Sequence, residues 1–132
     1  MKKSILGLAV AFGLGLGVAG CASVSSDLQI ISGTSVTPNQ VYVVGNAFVA
    51  AEATATQDDQ LPPCPTGTNI CRTPAGVRAV DVAIRTARNA VSAMEAYTTA
   101  NPGSVVPVGL YNTAVVAITA LQSAITQYYV KS

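Results

Sequence analysis

Two Thr-Pro pairs, Thr37-Pro38 and Thr73-Pro74, constrain the fold of this chain more than any other feature. A threonine hydroxyl can accept from the first free amides of a helix. Proline fits the first helical position, where its missing N–H costs nothing. Gln40, three residues after Thr37, completes the pattern of a capping box. Beyond each pair the apolar residues recur at threes and fours, the period of one helix face. The first stripe is Val41, Val44, Phe48, Ala51 and Ala55. A strand through residues 41–44 competes for the start of this segment, but the capping signal and the alanine-rich continuation favour helix. Its end is expected near Asp58 or Asp59, ahead of Pro62-Pro63.

The second stripe is Val77, Val80, Ile84, Ala87, Val91 and Met94, and Asn101-Pro102-Gly103 closes it with a turn. Its opposite face carries Arg78, Asp81, Arg85, Arg88, Ser92 and Glu95, with Asp81 placed to pair with Arg85 four residues on. A third helix is expected from Pro107, with Tyr111, Ala114, Ile118, Leu121, Ile125 and Tyr128 along one face. Val115, Val116, Ala117 and Ala124 widen that stripe, and Lys131 suits the negative pole of the helix dipole. Three stripes joined by two short connections predict an all-α fold, a small up-down-up three-helix bundle over residues 37–132.

The N-terminus has a different grammar. Lys2 and Lys3 precede an apolar run from Ile5 to Val18, which is shorter than the roughly 20 residues of a membrane span. The run ends in Val18-Ala19-Gly20-Cys21. This arrangement resembles the signal peptide and lipobox of bacterial lipoprotein precursors. The resemblance covers residues 1–21 only. It implies removal of residues 1–20 and lipidation of Cys21, and the acyl chains together would hold the protein stably on a membrane. Residues 21–36 then read as a serine-rich, flexible lipidated tether, with the apolar run Leu28-Ile30-Ile31 able to pack back on the domain. Ala22 stands where an acidic residue often marks inner-membrane retention, so the resemblance points to the outer membrane, facing the periplasm.

If Cys21 carries lipid, Cys64 and Cys71 are left as one pair in an oxidising compartment, where a disulfide is favoured. A C-x6-C spacing with no histidine in the chain makes a poor zinc site, and it lacks the C-x-x-C redox spacing. No metal or other cofactor is expected.

Without residues 1–20 the chain has five basic residues against six acidic ones, a net charge of about −1 (5 − 6), which offers no electrostatic footprint for nucleic acid. The absence of histidine removes the commonest general base and excludes Ser-His-Asp and Cys-His arrangements. There is no phosphate-binding glycine loop. Catalysis is not expected. Two features could carry binding. One is the arginine cluster Arg78, Arg85 and Arg88. The other is the uncharged stretch from Ala96 to Val130, ending in Tyr128 and Tyr129, aromatic residues with a polar tip that favour interfaces. The expected role is a non-catalytic envelope interaction protein, held by lipid, with an envelope protein partner or a second copy of itself. Two other roles fit the same residues: an exclusion or lysis lipoprotein of a phage or plasmid, and a carrier of a small ligand or lipid between the helices.

Overall fold

The computed structural model describes residues 28–33, 36–65 and 71–128. The expected signal peptide, Cys21, Tyr129 and Lys131 lie outside these residues. Three helices account for most of what is described: α1 (Pro38–Asp58), α2 (Pro74–Ala100) and α3 (Val108–Tyr128). The bundle expected from the stripes is the fold observed.

Both Thr-Pro starts behave as their chemistry dictates. The Gln40 N–H donates to Thr37 Oγ1 at 3.4 Å, and the Thr37 N–H donates to Gln40 Oε1 at 2.7 Å, closing the capping box. At α2 the Gly76 N–H donates to Thr73 Oγ1 at 3.0 Å. α2 stops at Asn101, and the chain reverses through Gly103, whose φ of 80° suits a residue without a side chain. The Ser104 N–H donates to the Asn101 carbonyl across that turn. An antiparallel bridge joins Val36, just before α1, to Val106, just before α3. The first and third helices therefore start at the same end and α2 runs back between their ends, which is the up-down-up order.

α3 is the most buried helix. Tyr111, Ala114, Val115, Ala117, Ile118, Leu121 and Ile125 all leave solvent, against five residues on each of the other helices. Its most extensive interface is with α2. By length and composition α3 could cross a membrane. In the bundle its wide apolar face meets both neighbours, which accounts for the width of the stripe. Val116 is the exception, pointing outward at 54% exposure. Among the described residues the core is entirely apolar, and six of its nineteen members are alanine. Alanine gives little burial per residue but lets helix backbones approach closely. Burial also pushes the Tyr111 phenol above its ordinary value of 10.0.

The segment before α1 belongs to the packed body. Leu28 is buried and Ile31 partly so, while Ile30 faces out. The side chain of Asn112 clamps this segment: the Ile31 N–H donates to Oδ1 at 3.0 Å and Nδ2 donates to the Ile31 carbonyl at 2.9 Å. An amide side chain thus satisfies both backbone groups of one residue, much as a neighbouring strand would. Within the expected tether, the apolar run from Leu28 thus packs back on the domain through Leu28 and Ile31.

Cys64 and Cys71 meet at disulfide geometry, with Cα atoms 5.2 Å apart. They close the connection between α1 and α2. Beside them the Cys64 N–H donates to the Arg72 carbonyl and the Arg72 N–H to the Pro62 carbonyl.

Two glycines give opposite expectations. A Cβ on Gly76 would lie 3.0 Å from the Tyr128 Cβ, a backbone-tethered atom that cannot swing aside. Gly109, near the start of α3, has open space around it. Gly109→Ala should stabilise by roughly 0.5 kcal/mol through helix propensity. Gly76→Ala should destabilise by about 1 kcal/mol or more, because overpacking outweighs the same gain. Urea unfolding of the two variants beside wild type checks both signs.

Candidate interaction surfaces

The arginines of α2 do not act as one group. Arg78, Arg85 and Arg88 all lie on the exposed face of the helix, but only Arg88 has a partner. Its guanidinium reaches across to Glu52 on α1 and forms an ion pair between the two helices. Arg88 is thereby committed to the fold. Arg78 and Arg85 make no hydrogen bond or ion pair among the described residues, and the pairing expected between Asp81 and Arg85 is not formed. Exposed pairs of that kind gain little over hydration, so the long side chains stay in solvent.

The sequence predicts Tyr128 both on the apolar stripe of the third helix and as an interface anchor. It is half-buried, with its Cβ and ring edge against Gly76 at the first turn of α2. The missing side chain of Gly76 makes room for the tyrosine, so this contact fastens the end of α3 to the beginning of α2. Tyr129 lies outside the described residues.

An open groove of about 660 Å³ runs between α1 and α2. Val41, Phe48 and Val91 supply apolar lining, with Tyr42 and Val49 on the α1 side and Arg88, Ser92 and Glu95 on the α2 side. Tyr42 is 74% exposed and Val49 63%. The Glu95 carboxylate lies over Gly45, 3.9 Å from where a Cβ would stand, and makes no ion pair among the described residues. Nothing in the sequence marked this groove, because it depends on how far apart the two helices sit. Its charged side chains are Arg88, paired with Glu52, and the Glu95 carboxylate. No cluster of three or more potential metal ligands occurs among the described residues.

A third polar site lies at the other end of α1. Asp58 is the last residue of the helix, and its Oδ2 is enclosed without accepting a hydrogen bond. Desolvation, and then the neighbouring Asp59 charge, hold its carboxyl above the ordinary value of 3.8. The negative end of the helix dipole acts in the same direction. Arg72 does not relieve it. Its Nη1 instead donates to the Asp59 carbonyl at 2.6 Å, tying the residue after Cys71 to the end of α1.

Asp58 predicts a pH dependence. A carboxyl raised in the folded state opposes folding when ionised, and the opposition disappears below the unfolded value. Asp58→Ala should therefore stabilise the domain by about 1 kcal/mol at pH 7. The gain over wild type should shrink toward zero as the pH falls to the ordinary carboxyl value of 3.8, measured by urea unfolding at stepped pH. For Arg88 and Glu52, a double-mutant cycle to alanine should give a coupling under about 1 kcal/mol that weakens with salt, since both side chains remain partly in solvent.

Compared with known proteins, the chain matches no family model, no curated protein and no solved structure.

Proposed function

We propose that this protein is a lipid-anchored envelope protein that works by contact rather than catalysis. The observation that carries the reading is Val18-Ala19-Gly20-Cys21 at the end of a charged and then apolar N-terminus. Cysteine arithmetic supports it: Cys64 and Cys71 pair with each other, and Cys21 is the third cysteine of the chain. Acylated at Cys21, the protein would sit on the outer membrane with its bundle in the periplasm. Contact as the mode of action is supported by the absence of charge on α3 and on α1 before Glu52, and by Arg78 and Arg85, two cations that the fold leaves in solvent. Arg88 and Tyr128 have structural duties and are weaker candidates for a partner. The carrier alternative has less support, since the groove between α1 and α2 is open and the core beneath it is closely packed with small side chains.

The test is the intact mass and membrane fractionation of the expressed protein, beside Cys21→Ser. The expected wild-type mass is that of residues 21–132 plus acyl chains, recovered with membranes. Cys21→Ser should lose both the acyl mass and the membrane association. A soluble wild-type product without acyl chains overturns the reading. Charge reversal at Arg78 and Arg85 should reduce recovery of crosslinked partners from the membrane fraction while leaving the thermal transition unchanged; undiminished crosslinking removes these two residues as the contact.

A further inference from the structure

We propose that the end of the bundle where α1 and α3 begin is a membrane-contact surface that rests on the lipid bilayer. Three observations converge on it, and they concern charge, exposure and chain connectivity.

The first is a strong polarity of charge along the bundle. No charged residue occurs from Leu28 to Ala51 or from Ala96 to Val130. These stretches form the start of α1, the end of α2 and the whole of α3. Among the described residues the charge nearest to this end is Glu95, five residues before the last residue of α2. Arg88 and its partner Glu52 lie near the middle of the bundle, and Asp58, Asp59, Arg72, Arg78 and Arg85 lie toward the other end. Asp27 precedes Leu28 in sequence and lies outside the described residues. An end built this way can approach lipid without stripping water from a fixed charge.

The second observation is what this end exposes. Ile30 is 65% exposed in the segment clamped by Asn112, and Val105 is 54% exposed beside the Val36–Val106 bridge. Tyr42, on the second turn of α1, is 74% exposed. Two aliphatic side chains and a tyrosine at one pole, uncharged among the described residues, match what the bilayer interface takes up, with the phenol at headgroup level.

The third is connectivity. Cys21 lies seven residues before Leu28, so even a fully extended chain spans at most about 25 Å between them. Burial of Leu28 and the Asn112 clamp fix this pole as the one from which the chain leads back to Cys21. The distance limit rests on the acylation proposed above; the patterns of charge and exposure do not. With no lysine or arginine at this end, the contact should need no anionic lipid and should be insensitive to salt.

The test places an environment-sensitive fluorophore on the full-length expressed protein at Ile30→Cys, Val105→Cys or, at the far pole, Gln60→Cys. Each is reconstituted into neutral phosphatidylcholine vesicles with brominated acyl chains. Probes at 30 and 105 should be quenched and the probe at 60 should not, with no change between about 0.05 and about 0.5 M salt. Val105→Glu should abolish quenching at position 30 without altering the thermal transition, since both residues are exposed. If the mass shows acyl chains but positions 30 and 105 are not quenched, the anchor stands and this proposal falls. Equal quenching at 60 also overturns it. Crosslinking between two copies through position 105 without lipid quenching would make the pole a self-association surface, against the proposal. If no acyl chain is present, the anchor reading falls, and the same probes titrated to saturating vesicles decide the contact alone, absence of quenching overturning it.

Discussion

Burial of α3 against its two neighbours is the constraint on which the rest of this structure depends. Helices of 21 to 27 residues with few internal ion pairs draw most of their stability from packing an apolar face, not from propensity. α3 has no charged residue at all, so its order depends wholly on α1 and α2 covering it. Its contacts also organise the periphery. Asn112 on its second turn holds the segment that precedes α1, and Tyr128 at its last turn holds the start of α2. A core rich in alanine gives each contact a small value. The caps, the cysteine pair and the long-range amide clamp therefore matter more here than in a core of leucine and phenylalanine.

Much of this was legible in the sequence because it is local. Thr37 with Gln40, and Thr73 before Pro74, fix helix starts through groups within one turn, and Asn101-Pro102-Gly103 fixes an end in the same way. Stripes at threes and fours gave the correct core: Val44, Phe48, Val80, Met94, Ile118 and Leu121 are all buried. What escaped was everything set by the distance between helices. The Arg88–Glu52 pair joins residues 36 positions apart, and the Asn112–Ile31 clamp joins residues 81 apart. No spacing rule reaches that far. The same limit holds for the contact of Tyr128 with Gly76, 52 positions apart in the chain. Asp58 and Asp59 mark the end of α1 in the sequence, but nothing in that signal shows that one oxygen of Asp58 is enclosed.

Low surface charge is reinforced by a quieter device. Eight helical threonines, among them Thr54, Thr86, Thr98, Thr113 and Thr126, donate their hydroxyls to the carbonyl four residues back in their own helix. Each hydroxyl is satisfied internally and is less available as a donor to a partner. The outer faces of these helices are thus less polar than their threonine content implies.

The up-down-up order gives the bundle the character of a strut. The described chain joins the packed body at the pole where Asn112 grips Ile31, and the Cys64–Cys71 disulfide and the last turn of α3 lie at the other. α2 runs between the two poles, and its 27 residues at 1.5 Å each make the separation about 40 Å. Anything fastened to the far pole is held about that distance from whatever fixes the near one. The bundle is in that sense a spacer of set length, with its charged groups gathered at the far pole and along the side of α2.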